Sequence, residues 1–325
     1  MAGGAVRTAP SSMRAVVEEY LAYRRRLGFA LEIEGQQLHR FARFADQQGH
    51  PGFITTDLAV AWATLPTGAD RRYHARRLDM VRRLARHRAM SDPETEIPLT
   101  GLLGPTYSRH EPHIYSDAEI AALLHAAAQL GPRGGLRPHT YSTLFGLLAC
   151  TGLRISEALR LSRTEVDLAA GVLVVAAGKF RRSRLVPLDP TVVQHLLAYD
   201  GHRDAYRRSP SATTFFVSEH GTSLKYLKVL MTFAQLQRTL GWVPGRRGRR
   251  PRLHDLRHTF AVSRLLRWYE QGAELNRKLL ALSTYLGHVR IRDTYWYLTA
   301  VPALLAMAGA RFAPAAACID REIEP

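Results

Sequence analysis

The chain has 325 residues, enough for two domains that each bury a core of their own. Its 45 Lys and Arg residues outweigh 28 Asp and Glu residues, and the net charge of +17 predicts a polyanionic partner, with nucleic acid the leading candidate. The two cysteines, Cys150 and Cys318, lie far apart and outside any metal-ligand spacing, so no zinc site is implied and a reduced, cytoplasmic protein is expected. The sequence has no signal-peptide pattern and no apolar run long enough to cross a bilayer, so no membrane association is expected.

The first 92 residues predict a small helical domain. Residues 1–10 are small and featureless, and we expect them to be disordered. Apolar residues at helical spacing then predict four helices over residues 11–92. The first runs from near Ser12 to Gly28, and the second from Leu31 to near Gly49. The third runs from Thr55-Thr56 through Trp62, and the fourth covers roughly Ala69 to Met90.

The fourth predicted helix is dense in arginine. One interpretation is a basic face that only contacts water. The density of arginine favours the other interpretation, contact with DNA phosphates. The candidates for that contact are Arg72, Arg76, Arg83 and Arg86.

Pro and Gly residues between Ser91 and His113 break the helical periodicity, as an interdomain linker should. We place the linker at residues 93–113 and a second domain at residues 114–325.

A Thr-Gly turn at Thr151-Gly152 comes just before Arg154. Glu157 follows one helical turn later, where a salt bridge could orient the guanidinium. An arginine on an amphipathic helix is usually a surface residue. The apolar neighbours Leu153 and Ile155 indicate that this one is half-buried.

Two runs of β-forming residues, Gly171–Val175 and Arg184–Leu188, predict a short antiparallel sheet. The turn between them is basic and holds Lys179, Arg181 and Arg182. With helices predicted elsewhere, the fold class is mainly α with a small antiparallel β-sheet in the second domain (α+β).

The stretch Gly241–Arg252 (GWVPGRRGRRPR) is too flexible for a helix and too charged to bury. One interpretation is a disordered basic loop. Its place just before His254 favours a loop that becomes ordered on a phosphate backbone. Its candidate DNA contacts are Arg246, Arg247, Arg249 and Arg250.

The stretch from His254 to Tyr297 holds the candidate catalytic groups. His254 and Arg257 are three residues apart and share one helix face. In Leu286-Gly287-His288, the glycine can end a helix in the left-handed conformation and turn the histidine out of it. Two histidines, an arginine and a tyrosine, with no acidic cluster for a metal, suit phosphoryl transfer in which protein cations stabilise the charged transition state and the tyrosine is the nucleophile.

This HxxR, LGH and Tyr arrangement, together with Thr151-Gly152-Leu153-Arg154-Ile155-Ser156-Glu157 upstream, strongly resembles the tyrosine recombinase family of phage integrases, Xer-type enzymes and transposon recombinases. The resemblance extends over nearly the whole chain. It implies a SAM-like, helical core-binding domain at residues 11–92 that clamps DNA, and a tyrosine recombinase catalytic domain at residues 114–325. It also implies site-specific cleavage and rejoining of DNA through a covalent 3′-phosphotyrosine, with no metal, ATP or other cofactor.

The roles implied by the resemblance can be set out by residue. Tyr297 attacks the phosphate, and Arg154, Arg257 and His288 stabilise the phosphate oxygens. His254 has a positioning role or accepts a proton, and Lys179 protonates the leaving 5′ oxygen. Glu157 and Asp255 support these catalytic side chains. A solvated turn lysine is the alternative for Lys179. Residues two apart on a helix point about 200° apart, so only one of the two tyrosines can face His288. The resemblance assigns that position to Tyr297, and Tyr295 is then expected to pack inward near Trp296.

The implied partners are double-stranded DNA recombination sites and further copies of the chain, as a tetramer on synapsed DNA in the nucleoid. The sequence does not decide whether an accessory recombinase or architectural protein takes part. It also does not decide whether the segment after Tyr297 docks on its own protomer or on a neighbouring one. The alternative functions are a type IB topoisomerase-like nicking and closing enzyme and a non-catalytic DNA-binding protein on the same fold. Phage integration, transposition and chromosome-dimer resolution are not distinguished, and the target site is not predicted.

Overall fold

The computed structural model describes residues 12–50, 52–107, 111–176, 183–206, 212–244 and 250–299. The chain divides into two compact units, a first unit of Met1–His110 and a second unit of Glu111–Pro325. It is mainly helical, with one small antiparallel sheet, in agreement with the predicted fold class.

The first unit contains four helices among its described residues. They are α1 (Met13–Arg26), α2 (Glu32–Gln47), α3 (Thr56–Thr64) and α4 (Arg71–Arg88). Side-chain oxygens of Ser12, Thr55 and Asp70 accept hydrogen bonds from backbone N–H groups in the first turns of α1, α3 and α4, which fixes where these helices begin. Apolar faces of all four helices meet in one core around Trp62 and Phe41.

Part of the stretch expected to be a linker forms hydrogen bonds within the first unit. Glu96 donates its backbone N–H to the carbonyl of Ile54 at 2.7 Å, and its carboxylate accepts from the backbone N–H of Thr56 at 2.7 Å. The carbonyl of Leu103 accepts from Nε of Arg71 at 3.2 Å. These contacts attach residues 96–103 to the ends of α3 and α4.

The second unit combines its sheet with eight α-helices among its described residues. They are α5 (Asp117–Ala128), α6 (Arg137–Thr151), the one-turn α7 (Ile155–Ala158), α8 (Pro190–Ala205), α9 (Tyr226–Thr239), α10 (Asp255–Glu270), α11 (Leu275–Leu286) and α12 (Arg292–Thr299). Helix α6 is buried along much of its length. It lies against α5, α8 and α10, and α10 is the helix of the segment that begins at His254.

The sheet has the strand order β1-β2-β3, with β1 at Val166–Asp167, β2 at Val172–Val175 and β3 at Arg184–Pro187. Both pairs are antiparallel, and Val175 pairs with Arg184 at the end that leads into the predicted basic turn. That turn, residues 177–182, lies outside the described residues.

Among the helices of the described ranges, none is both long and apolar enough to span a membrane.

Candidate active site

Four chain segments of the second unit bring the candidate catalytic residues together. Arg154 lies between α6 and α7, Arg257 is in the first turn of α10, His288 follows α11, and Tyr297 is on α12. Helices α6, α11 and α12 all pack on α10, so the four segments share one scaffold.

Arg154 is held by the salt bridge that the sequence predicted. Its Nη1 donates to Oε1 of Glu157 at 2.9 Å, and its Nη2 donates to the carbonyl of Gly287 at 3.3 Å. The Arg154 side chain keeps 39% of its surface exposed, whereas that of Glu157 keeps 9%. The guanidinium is therefore oriented from one side and open on the other, where it can meet an anion.

Arg257 is buried and anchored by backbone. Its Nη1 and Nη2 donate to the carbonyls of Gly152 and Leu286, each at 2.7 Å. These carbonyls belong to the residues where α6 and α11 end, so Arg257 fixes the two helix ends that carry Arg154 and His288. Burial and the charge of Arg154 lower the pKa of the Arg257 guanidinium to about 10, and it stays protonated at neutral pH.

His288 is turned out of α11 as the sequence predicted. Gly287 ends the helix with φ of +67°, in the left-handed region that glycine adopts without strain. The ring Nδ1 of His288 then lies 2.7 Å from Oγ1 of Thr294, a buried side chain on α12. Burial and the charges of Arg257 and Arg154 lower the pKa of His288 to about 3, so the free protein holds it neutral at pH 7.

Tyr297 and Tyr295 lie on opposite faces of α12, as their spacing predicted, but the expected inward packing of Tyr295 is wrong. Tyr297 is 3% exposed and Tyr295 is 43% exposed. The buried face of α12 contains Thr294 and Tyr297, which are three residues apart, and a residue one position after Thr294 therefore faces outward.

The Tyr297 ring lies among cations and imidazoles. Its centroid is 5.9 Å from that of His288 and 5.3 Å from that of His258. Burial raises the pKa of the Tyr297 phenol, and the charges of Arg257 and Arg154 with a hydrogen bond from Arg257 act against that rise. The phenol is thus neutral at pH 7 in the free protein, beside groups that favour its anion.

His254 is exposed, and Asp255 next to it is buried. The carboxylate of Asp255 accepts from the backbone N–H of Arg252 at 2.8 Å and from its Nη2 at 2.7 Å. Asp255 thus ties the basic stretch before His254 to the start of α10. Although His254 is exposed, desolvation of its ring and the nearby charges of Arg257 and Arg252 lower its pKa, so the imidazole is neutral at pH 7 and can accept a proton.

Two residues next to these groups were not predicted from the sequence. His258 lies between His254 and Tyr297, with ring centroids 5.0 Å and 5.3 Å away, and its buried Nδ1 has no hydrogen-bond partner within the described part of the chain. The HxxRH spacing, with His258 four residues after His254, could have indicated this. Arg184 forms a fork with Glu157, and no local pattern reveals a pairing across 27 residues.

The candidate DNA contacts on α4 share one face at spacings of three, four and seven residues. Arg83 pairs with Asp79 at 2.6 Å, whereas Arg72, Arg76 and Arg86 form no side-chain hydrogen bond or ion pair with another described residue. Not every arginine of α4 is available, because Arg77 is buried on Trp62, 3.7 Å from the ring centroid.

Several candidate residues lie outside the described residues. They are Lys179, Arg181, Arg182, Arg246, Arg247 and Arg249. Arg250 is described and exposed. Among the His, Cys, Asp and Glu side chains that the structure describes, no group of three or more is placed to hold a metal ion.

Residues 115–302 match the sequence model of the phage integrase family. The chain is 42% identical over 299 residues to the inferred integrase/recombinase y4rB of Sinorhizobium fredii, which covers 91% of this chain and 95% of that protein. It is also 31% identical over 287 residues to the tyrosine recombinase XerD of Bradyrhizobium diazoefficiens, with 85% and 84% covered.

Two solved structures have a similar fold. The Tn1549 transposon integrase in complex with transposon right end DNA matches with a TM-score of 0.67 and 15% identity, covering 94% of this chain and 100% of that one. The XerH site-specific recombinase bound to a palindromic difH substrate, in its post-cleavage complex, matches with a TM-score of 0.62 and 17% identity, covering 85% and 78%.

Proposed function

Because the chain belongs to the phage integrase family of tyrosine recombinases, we propose that Tyr297 is the nucleophile with which it cuts and rejoins DNA. The chain is a site-specific DNA recombinase, an enzyme that exchanges DNA strands.

In the proposed reaction the phenol oxygen of Tyr297 attacks the phosphorus of one phosphodiester. The bond from phosphorus to the 5′ oxygen breaks, and a 3′-phosphotyrosine bond forms in its place. The phenol proton passes to His254 by way of His258, whose ring lies between the two, and the departing 5′ oxygen takes a proton from Lys179. Attack by the 5′-hydroxyl of a partner strand then reverses these steps on a new strand, so no ATP is consumed.

Arg154, Arg257 and His288 would stabilise the charge on the two phosphate oxygens that do not leave. The observation that carries this assignment is the placement of Tyr297 beside Arg257 and His288, with the open side of Arg154 in the same cluster. Fixed cations in a largely buried site act more strongly than the same charges in water. They replace the metal ion that many phosphoryl-transfer enzymes use.

Proton transfer from Tyr297 to His254 suits the charge states of the free site. The pKa of Tyr297 is raised, so the phenol carries its proton until it reacts, and the lowered pKa of His254 leaves that imidazole free to accept. A bound phosphodiester would favour protonation of the imidazole, because a negative charge nearby raises its pKa.

We further propose that residues 11–92 form a SAM-like core-binding domain whose α4 arginines contact DNA phosphates, with residues 93–113 as the connection to the catalytic domain. Exchange between two DNA duplexes needs four cleaved strands, so we propose a tetramer on synapsed recombination sites. The assembly would act on the DNA of the nucleoid, in the cytoplasm, and the proposed reaction does not require an accessory protein. Neither a topoisomerase nor a non-catalytic DNA-binding protein is favoured, since the named relatives are recombinases.

The proposal is tested by recovering the covalent intermediate. Sheared genomic DNA of the host is incubated with the full-length chain in EDTA, the protein is denatured, and DNA that stays attached is sequenced. We expect one short site to be enriched, to the same extent with EDTA as with magnesium. Loss of the adduct in EDTA and its return with magnesium would contradict a reaction that relies on protein cations.

A further inference from the structure

We propose that Arg184 is a positioning residue. It fixes the orientation of the Arg154 guanidinium, and it sets the net charge of the cluster formed by Arg154, Glu157 and Arg184. This inference rests on the proposed function, because it assigns Arg184 a part in the same reaction. Arg184 is the first residue of β3 and lies five residues after Lys179 in the sequence.

Arg184 and Arg154 share one carboxylate. Nη1 of Arg184 donates to Oε1 of Glu157 at 3.0 Å, and its Nη2 donates to Oε2 at 2.8 Å. The same two oxygens accept from Nη1 and the backbone N–H of Arg154, each at 2.9 Å. Four donors thus saturate the acceptor sites of Glu157, which leaves the carboxylate no freedom to rotate away from Arg154.

Arg184 also supports the turn that presents His288. Its Nε donates to the carbonyl of Tyr285 at 2.7 Å, two residues before Gly287. A Cβ atom on Gly287 would lie 2.7 Å from Nη1 of Arg184, so the guanidinium packs directly against the glycine. The carbonyl of Gly287 accepts from Arg154 at 3.3 Å. One guanidinium therefore fixes both supports of Arg154, the Glu157 carboxylate and this turn.

The charge of Arg184 matters as much as its geometry. Arg154 and Glu157 alone would be a neutral pair, and a neutral pair does little to stabilise the charge that develops on the phosphate oxygens during cleavage. With Arg184 the group has two positive charges and one negative charge, so it keeps a net charge of +1 toward the open side of Arg154. Burial raises the pKa of Glu157, but hydrogen bonds and charges from Arg184 and Arg154 outweigh it and lower the pKa to about 2, so the carboxylate is ionised at pH 7.

Arg184 acts through Arg154 and not on the DNA itself. All three of its guanidinium nitrogens already donate to protein acceptors, and its side chain is 14% exposed against 39% for Arg154. A residue so placed affects the rate of cleavage by holding its neighbour, and it contributes little to DNA affinity.

The test compares Arg184→Gln and Arg184→Lys with a matched control. The control is Arg163→Gln, which removes an arginine of the same unit that pairs with Asp200 and Asp204, away from the site. Each full-length variant is mixed in excess with a nicked duplex of the enriched site, on which the cut strand cannot be rejoined. The single-turnover rate of adduct formation, the DNA dissociation constant and the thermal midpoint are measured for each.

We expect Arg184→Gln to slow adduct formation about 10- to 100-fold, as loss of an outer-shell partner typically does, with the dissociation constant changed by less than about threefold. Arg184→Lys keeps the charge but not the fork, and it should recover part of the rate. Arg163→Gln should cleave like the unaltered chain. In an Arg154→Lys background, Arg184→Gln should slow cleavage by less than about twofold further, because the group it positions is already lost.

The outcomes separate this inference from the proposed function. An unaltered chain that forms no adduct would overturn both. An unaltered chain that cleaves while Arg184→Gln cleaves equally fast would overturn the positioning role alone. The positioning role would also be overturned if Arg184→Gln slowed adduct formation equally in the unaltered chain and in the Arg154→Lys background, with no recovery of the rate in Arg184→Lys. Arg184 would then contribute only to general stability.

Discussion

Gly152 is a point where one added methyl group should damage both the stability and the catalytic scaffold. It ends α6 with φ of +62° and its carbonyl accepts the Nη1 of Arg257. A Cβ atom at this position would lie 2.6 Å from Cδ1 of Phe260 and 3.3 Å from Cδ2 of Leu286. We therefore predict that Gly152→Ala destabilises the chain by two separable effects.

The first effect is backbone strain, since a left-handed conformation costs a residue with a Cβ atom about 1–2 kcal/mol. The second is overpacking, which costs about 1–3 kcal/mol when neighbours cannot move. Phe260 is 8% exposed and stacks on Tyr285, with ring centroids 5.6 Å apart, so its ring has little room to retreat. The sum predicts a loss of about 2–5 kcal/mol.

Gly272→Ala is the matched control, because Gly272 follows the end of α10 with φ of +69° and a Cβ atom there would have no neighbour within 4 Å. It should show the strain alone. Urea denaturation of both full-length variants, followed by far-UV circular dichroism, gives the difference in unfolding free energy. Equal losses in Gly152→Ala and Gly272→Ala would refute the steric contribution of Phe260 and Leu286.

Further predictions concern DNA binding, the leaving group and pH. Arg76→Gln should reduce the slope of log affinity against log salt by about 1, while ion-paired Arg163→Gln leaves it unchanged; equal slopes in a salt titration would contradict phosphate contact by α4. Lys179→Ala should impair cleavage of normal DNA far more than cleavage of a duplex with sulfur in place of the leaving 5′ oxygen, because the thiolate departs without a proton; equal losses would leave Lys179 as a phosphate-binding residue. His258 and His288 have pKa values of about 4 and 3 in the folded chain, against about 6.5 when unfolded. The unfolded state therefore binds more protons, and the unfolding free energy should fall as pH drops from about 6.5 toward 4. The fall is at most about 1.4 kcal/mol per pH unit for each histidine. Urea titrations at several pH values give the slope of the unfolding free energy against pH. His258→Gln should reduce that slope by the contribution of about one proton, and an unchanged slope would contradict the lowered pKa of His258.

Features encoded within a few residues could be predicted from the sequence. Ser12 and Thr55 begin their helices as N-caps, because a side-chain oxygen that satisfies a free N–H needs only a neighbour three residues on. Gly287 ends α11 in the left-handed region for an equally local reason. The pair Arg154 and Glu157 follows from helical spacing and is present at 2.9 Å.

Features that depend on distant partners could not be predicted. Arg184 meets Glu157 only because β3 passes beside α7, and nothing near residue 184 encodes that contact. Arg77 looks like its neighbours on a basic helix, yet it is buried because Trp62 of α3 lies under it. The spacing of Tyr295 and Tyr297 correctly places them on opposite faces of α12, but the expected packing of Tyr295 near Trp296 is wrong, because Thr294 and Tyr297 occupy the inner face.

The residue that carries the DNA is identified most directly by trapping the adduct on a nicked duplex and sequencing the DNA-linked peptide by mass spectrometry. The unaltered chain, Tyr297→Phe and Tyr295→Phe are treated in parallel. We expect the DNA on Tyr297, no adduct in Tyr297→Phe and a full yield in Tyr295→Phe, because only Tyr297 lies beside Arg257 and His288. A DNA-linked peptide recovered from Tyr297→Phe, or an adduct lost only in Tyr295→Phe, would contradict Tyr297 as the nucleophile.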